Sequence, residues 1–157
     1  MISCVVLNYN DYERSISTAV YLSQYTIVEK VVIVDNHSTD NSYDEMLKIQ
    51  NSKIDVIQSA RNGGYGYGNN YGIRYIVKKI GSPYVLIINP DVRISEYAID
   101  KLLQCIQNDN SCAVVSCKQI LSNGKANMSY WNILTTLEIV FSGTLFLSKL
   151  IYNVYIT

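Results

Sequence analysis

Runs of apolar residues alternate along the chain with segments whose apolar residues recur at helical spacing. The apolar runs are rich in Val and Ile and predict four β-strands, over Ile2–Leu7, Val28–Val34, Ile54–Ile57 and Val85–Ile88. The segments between them predict helices over Tyr12–Gln24, Ser42–Gln50, Tyr65–Lys79 and Ser95–Gln107. Ser95 is the candidate N-cap of the last helix, and a fifth strand is expected to begin at Ala113–Ser116.

The order of these elements predicts the fold class. Strands that are apolar at nearly every position are covered on both faces, which is typical of a parallel sheet. Strand and helix alternate, so we predict an α/β fold with a mostly parallel sheet flanked by helices. We predict one α/β unit over residues 1–121 and a partial second segment with an apolar tail over residues 122–157.

Polar residues follow each predicted strand. Ligands of open parallel sheets bind beyond the carboxyl ends of the strands, so the residues at those positions are the candidate site. The polar groups follow the four strands in the order Asn8–Asn10, Asp35–Asp40, Ser59–Gly64 and Asn89–Asp91. Together they indicate a site for a polar ligand that carries rings and phosphates.

Two acids stand directly at strand ends. Asp91 is fixed by Pro90 and suits a hard divalent cation that bridges a diphosphate; the alternative is that it caps the turn into Ser95. Asp35 could accept hydrogen bonds from a base N–H or from ribose hydroxyls. Its alternative role, a turn residue before the next helix, is filled better by Asp40.

A glycine-rich segment, residues 61–72, follows the third strand. Its spacing is G-x-G-x-G, not the G-x-G-x-x-G of dinucleotide-binding turns, and it carries no Walker lysine. We therefore interpret the glycines as positions of close helix–sheet packing and of close approach to a ligand. Arg61 is placed to offset diphosphate charge, and Tyr65, Tyr67 and Tyr71 are candidates for stacking on sugar or base faces.

Composition and charge exclude several classes of protein. The 157 residues are 48% hydrophobic and their formal net charge is zero, which argues against nucleic-acid binding. The four cysteines form no C-x-x-C pair and His37 is the single histidine, so no zinc site is expected and the cysteines are predicted to be buried thiols. The apolar stretch 133–156 contains Glu138 and Lys149, and its uncharged run is too short to span a bilayer.

The ordered segments resemble family 2 glycosyltransferases with the GT-A fold, especially the rhamnosyltransferase-like branch. The resemblance extends over roughly residues 2–121 and rests on four motifs, at Val5–Asn10, Val32–Asp40, Arg61–Gly72 and Leu86–Val92. It implies the nucleotide-diphospho-sugar transferase type of α/β fold. It also implies transfer of a sugar from a nucleotide-diphosphate donor, such as a UDP- or dTDP-sugar, to a saccharide or lipid-linked acceptor.

The resemblance also implies roles for individual residues. Asn8 and Asp35 would line the base and ribose pocket, and the donor loop would be shaped by Arg61, Asn62, Gly64 and Asn70. Asn89 and Asp91 would stand where the family has its D-x-D motif, with Asp91 as the ligand of Mg²⁺ or Mn²⁺. The first acid of that motif is Asn89 here, as in the rhamnosyltransferase-like branch. The expected reaction is inverting and metal-assisted, and it serves surface polysaccharide synthesis. The protein is expected in the cytoplasm, at the inner face of the membrane.

The sequence departs from the family on the acceptor side. Glu138 is the single acid after Asp109, and it lies in an apolar stretch, so we assign no catalytic base. The chain is therefore expected to be the donor half of a longer enzyme, and its apolar tail to contact a membrane surface or to self-associate. Two alternatives stay open: a non-catalytic remnant that binds a nucleotide sugar, and another α/β nucleotidyltransferase.

Overall fold

A computed structural model describes residues 1–121 and 123–127 of the chain. Their elements are β1 (Ile2–Asn8), α1 (Tyr12–Ser23), β2 (Val28–Asp35), α2 (Ser42–Leu47), β3 (Ile54–Gln58), α3 (Gly64–Tyr75), a π-helical turn (Ile76–Ile80), β4 (Val85–Ile88), α4 (Glu96–Asn108), β5 (Gln119–Ile120) and β6 (Ala126–Asn127). The apolar stretch 133–156, with Glu138, lies outside the described residues.

The predicted parallel sheet is confirmed. Four strands pair in the order β3-β2-β1-β4, and every pair is parallel. In register, Val5 faces Val32 on one side and Ile87 on the other. The carboxyl ends of all four strands therefore meet at one edge of the sheet, as the sequence pattern requires.

Helices cover both faces of this sheet. On one face, Val6 and Ile33 pack in a core cluster with Leu22 of α1 and Ile99 of α4. On the other face, Val5, Val32 and Val34 pack with Ile76, at the end of α3. Burial on both sides explains why β1 and β2, the central strands, are apolar at successive positions.

Close packing of α3 depends on glycine. A Cβ at Gly72 would lie 2.8 Å from both Val34 Cγ2 and Val5 Cγ1, and one at Gly68 would lie 2.3 Å from Leu7 Cδ1. These distances are below van der Waals contact, so a side chain at Gly72 would press on two stiff, buried valines, whereas one at Gly68 would require Leu7 to move. Two glycines of the 61–72 segment, Gly68 and Gly72, thus allow the close helix–sheet packing that was predicted from the sequence.

Three predicted elements differ from the structure by more than one residue at an end, and the helix predicted over Tyr65–Lys79 is one of them, since it is α-helical only to Tyr75 and continues as the π-helical turn. The helix expected over Ser42–Gln50 ends at Leu47, because the N–H groups of the next three residues bond to carbonyls three residues back. Leu47, the last residue of α2, is exposed. The strand expected at Ala113–Ser116 does not form: its short apolar run is largely exposed, which shows that no sheet face covers it.

The cysteine prediction was wrong for most of the thiols. Cys4 is fully buried in β1, but Cys105 and Cys117 are exposed and Cys112 is intermediate. Cys105 lies on α4, whose inward face is supplied instead by Ile99 and Leu103. The N-cap prediction for that helix was right, since the Ser95 hydroxyl accepts from the N–H of Ala98 at 3.2 Å.

The described residues divide into two compact units, Met1–Ala113 and a unit that begins at Val114. The first contains the whole parallel sheet. In the second, β5 and β6 pair as an antiparallel hairpin. Within the described residues, no helix is long and apolar enough to cross a membrane.

Candidate functional site

A cleft of about 470 Å³ opens at the carboxyl edge of the sheet. This volume lies in the range of small-molecule sites. The lining residues come from all four strand ends and from the first turn of α1: Leu7, Tyr9, Asp11, Arg14, Asn36, Asn62, Gly64, Tyr65, Asn89, Pro90 and Asp91. The fold therefore brings together the polar segments that the sequence placed after the strands.

Four of the candidate site residues line this cleft, namely Asn62, Gly64, Asn89 and Asp91. The other four lie elsewhere: Asn8 and Asp35 are buried behind the cleft, and Arg61 and Asn70 are exposed beside it.

Asp35 is buried among hydrogen-bond donors of the protein itself. Its Oδ1 accepts from Asn8 Nδ2 at 3.0 Å and from Ser38 Oγ at 2.5 Å. Its Oδ2 accepts from the N–H of Ser38 at 3.1 Å and from Gln58 Nε2 at 2.9 Å. Four donors satisfy both carboxylate oxygens, so the buried charge is stabilised by hydrogen bonds within the protein. These bonds hold the ends of three strands together.

Asn8 is satisfied in the same way. Its Oδ1 accepts from Ser15 Oγ at 2.9 Å, and its Nδ2 donates to Asp35 and to Ser38 Oγ. Since its side chain is fully buried, Asn8 joins β1 to α1 and to the loop after β2. It supports the floor of the cleft rather than lining it.

Asn36, the residue after Asp35, does line the cleft. Its Nδ2 donates to Asn62 Oδ1 at 2.9 Å, and its backbone N–H donates to the carbonyl of Asn8 at 2.8 Å. Asn62 Oδ1 also accepts from the N–H of Gly64 at 3.1 Å. Gly64 has a φ of +81°, which favours glycine. These bonds connect the loop after β2 to the start of α3.

The turn after β4 is fixed from α1. Thr18 Oγ1 donates to the carbonyl of Pro90 at 2.8 Å and accepts from Arg93 Nη1 at 2.6 Å. The Arg93 guanidinium lies over the Tyr21 ring, 4.6 Å from its centroid. This contact chain ends one residue before Asp91, so α1 determines where the Asp91 carboxylate stands.

Asp91 itself remains available to a ligand. It is exposed, and no hydrogen bond to its side chain occurs among the described residues. The cap of α4 is Ser95, so the alternative role of Asp91 as a cap is not observed. Asn89, two residues earlier, accepts a hydrogen bond from the Tyr65 phenol at 2.9 Å.

The cleft suits a divalent cation that is held largely by a ligand's own oxygens. In the part of the chain that the structure describes, no group of three or more His, Cys, Asp or Glu side chains could enclose a metal. Mg²⁺ is commonly bound by one or two carboxylates together with substrate phosphates and water. The single free carboxylate of Asp91 fits that arrangement, whereas a site made of protein ligands alone does not.

Arg61 and Asn70 were expected to shape the donor loop. The Arg61 guanidinium lies 5.4 Å from the centroid of the Tyr67 ring, which in turn stacks on Tyr71. Asn70 lies on an exposed face of α3. Of the three candidate stacking tyrosines, Tyr65 therefore lines the cleft and the other two stack on each other.

Five lining residues were given no individual role from the sequence: Leu7, Tyr9, Asp11, Arg14 and Asn36. Tyr9 and Asn36 fall inside the polar segments predicted as the candidate site, because each follows the last residue of a strand at the edge where ligands bind. Arg14 has a weaker signal, since it pairs with Asp11 at 3.1 Å as an ordinary exposed (i, i+3) ion pair.

Comparison with known proteins places these features in one family. The model of the family described as "Glycosyl transferase family 2" matches residues 3–153. The low-salt glycan biosynthesis hexosyltransferase Agl10 of Haloferax volcanii is 32% identical over 114 residues, which are 69% of this chain and 34% of that protein. The dTDP-rhamnosyl transferase RfbF of Shigella flexneri is 33% identical over 81 residues, 52% of this chain and 26% of that protein. The matches thus span about a third or less of these relatives.

Proposed function

This chain belongs to glycosyl transferase family 2, and we propose that it binds a nucleotide-diphosphate sugar in the cleft at the carboxyl edge of its GT-A type sheet. The observation that carries the proposal is the convergence of four strand ends on one polar cleft that contains a free carboxylate, Asp91. A ring-bearing ligand with phosphates matches the lining, which combines two tyrosine rings, amide groups and a single acid without a side-chain hydrogen bond.

We further propose that the donor is a dTDP- or UDP-linked hexose and that the acceptor is a saccharide or a lipid-linked saccharide. Support comes from the two relatives, which are described as a hexosyltransferase of glycan biosynthesis and as a dTDP-rhamnosyl transferase. The transfer is inverting and contributes to surface glycan assembly. The chain supplies the donor-binding part of that reaction, and we assign no catalytic base among the described residues.

Asp91 is the residue that would hold Mg²⁺ or Mn²⁺. The bound cation would offset the negative charge that develops on the departing nucleoside diphosphate. The chain's own part is to present one carboxylate in a fixed turn, because Thr18 and Arg93 hold the carbonyl of Pro90. At the opposite strand ends Asn62, whose oxygen is held by Asn36, offers its exposed NH₂ group to the polar edges of the ligand.

Ligand-induced stabilisation tests the proposal directly. The melting temperature of the chain is measured with UDP and with dTDP, each with Mn²⁺ and with EDTA, for the parent, Asp91→Asn and Asp44→Asn. Asp44 is an exposed acid on α2 and serves as the matched control. A ligand at 100 times its Kd stabilises a protein by about 2.7 kcal/mol.

We expect at least one of the two nucleotides to raise the melting temperature of the parent, and to raise it further with Mn²⁺. Asp91→Asn should lose the Mn²⁺-dependent part and keep the part seen in EDTA, and Asp44→Asn should behave like the parent. If neither nucleotide stabilises the parent, the donor-site proposal fails. If Asp91→Asn retains the full Mn²⁺ effect, the assignment of the metal to Asp91 fails.

A further inference from the structure

A hydrogen bond joins two walls of the cleft. Tyr65, in the first turn of α3, donates its phenol O–H to Asn89 Oδ1, beyond the end of β4, at 2.9 Å. Both residues line the cleft, and Tyr65 is 58% exposed, so the bond lies within reach of a ligand. The contact links residues 24 positions apart. One lies on the helix α3 and the other directly follows the strand β4.

This bond fixes which end of the Asn89 amide is presented to a ligand. A side-chain amide has one acceptor oxygen and one NH₂ donor. The oxygen is engaged by Tyr65, and within the described residues the NH₂ donates no hydrogen bond. The backbone of Asn89 is also fixed, since its carbonyl accepts from the N–H of Val92 at 3.1 Å. The group left for a ligand is therefore a hydrogen-bond donor.

An NH₂ donor and a carboxylate prefer opposite partners. The Asn89 NH₂ carries partial positive charge and suits an anionic oxygen, and it repels a cation. The Asp91 carboxylate, two residues later and free of side-chain bonds, suits a cation. The turn after β4 thus offers adjacent groups for the two components of a metal–diphosphate.

We propose that Tyr65 is a positioning residue that orients Asn89 so that its NH₂ donates to the diphosphate of the donor. This inference rests on the proposed function and adds to it the contact that replaces the missing first acid of the metal motif. Asn89 contacts the diphosphate directly, whereas the cation is left to Asp91. The phenol acts through Asn89 and makes no contact of its own with the reacting atoms.

The proposal predicts that part of the affinity for a nucleoside diphosphate does not depend on metal. A hydrogen bond to a charged acceptor corresponds to about 10- to 100-fold in affinity. Without the phenol, the amide is free to turn its oxygen toward the phosphates, so part of that factor is lost. A carboxylate at position 89 would repel the diphosphate until a cation binds.

The experiment compares a nucleoside with its diphosphate in EDTA, by calorimetry, using uridine with UDP and thymidine with dTDP. The ratio of the two affinities isolates the diphosphate contribution. The variants are Tyr65→Phe, which removes one oxygen, and Asn89→Asp, which replaces the amide. Tyr67→Phe is the matched control, because Tyr67 is also on α3 and stacks on Tyr71 outside the cleft. Circular dichroism and melting temperature check that each variant folds.

For Tyr65→Phe we expect the diphosphate affinity in EDTA to fall about 3- to 10-fold while the nucleoside affinity is unchanged. For Asn89→Asp we expect a fall of more than about 10-fold in EDTA that Mn²⁺ largely restores. Tyr67→Phe should match the parent in every measurement.

Three outcomes would overturn the inference. Tyr65→Phe could bind the diphosphate as tightly as the parent, or it could weaken nucleoside and diphosphate equally, which would place Tyr65 in base binding. Asn89→Asp could bind the diphosphate as well as the parent in EDTA, which would exclude the amide contact. If the parent bound neither diphosphate even with Mn²⁺, the proposed function and this inference would fall together.

Discussion

Replacing Asp35 by asparagine tests whether this acid organises the site or binds the ligand. In the structure its two oxygens accept four hydrogen bonds, from Asn8, Ser38 and Gln58. In Asp35→Asn, one oxygen remains and keeps the donors now at Oδ1. The new NH₂ faces the N–H of Ser38 and the amide of Gln58, so donor opposes donor at two contacts.

The expected loss of stability follows from those two contacts. A hydrogen bond to a charged group contributes about 1.5–3 kcal/mol, and a buried donor left unpaired costs about 1–3 kcal/mol. Rotation of the Gln58 amide recovers one contact, and removing a buried charge relieves desolvation. We therefore expect Asp35→Asn to lower the free energy of unfolding by about 2–4 kcal/mol.

Urea denaturation followed by circular dichroism measures this change, with Asp44→Asn as the exposed control. The control should lie within about 0.5 kcal/mol of the parent, as surface substitutions usually do. An Asp35→Asn protein as stable as the parent would refute the organising role. A variant that kept its stability and lost nucleotide affinity would show instead that Asp35 contacts the ligand.

Two further predictions concern packing and thiol chemistry. Gly72→Ala should destabilise the chain by about 1–3 kcal/mol in urea denaturation, because its Cβ would lie 2.8 Å from Val34 Cγ2. Gly66→Ala, on the same helix with no atom within 4 Å, should stabilise it by about 0.5–1 kcal/mol; equal effects would refute the packing argument. Burial raises the pKa of the Cys4 thiol from 9.0 to about 12, so its contribution to stability is complete below pH 9 and is lost as the pH rises toward 12. At pH 8 a thiol reagent should modify exposed Cys105 rapidly and Cys4 only upon unfolding, and equal rates would contradict this assignment.

The strands and the edge that carries the site could be predicted from the sequence. β4 has the predicted bounds, and β1, β2 and β3 each extend one residue further, to Asn8, Asp35 and Gln58. Continuous apolar runs are informative here because burial on both faces permits few other residues. The strand prediction at 113–116 was wrong, because a run of three apolar residues does not specify whether a sheet face covers them.

The sequence did not reveal which polar residues line the cleft and which are buried behind it, because that depends on the register of the paired strands. Asn8 pairs with Asp35, and Asp35 pairs with Gln58, in one row across three strands. An isolated sequence shows an acid at a strand end, and does not show that a neighbouring strand brings an amide donor beside it. The contact between Arg61 and Tyr67 also depends on folding, because the ring lies beneath the guanidinium only once α3 has formed.

That row explains where the cleft begins. Asn8 and Gln58 both donate to Asp35, so the carboxylate in the last register row of the sheet is satisfied by the protein itself. The residues immediately beyond the row, such as Tyr9 and Asn36, then become the cleft lining. β4 has no residue in this row, because its pairing with β1 ends at Ile88 opposite Val6. The turn after β4 therefore brings Asn89 and Asp91 into the cleft, and the shortness of this strand is what places the proposed ligand-binding turn there.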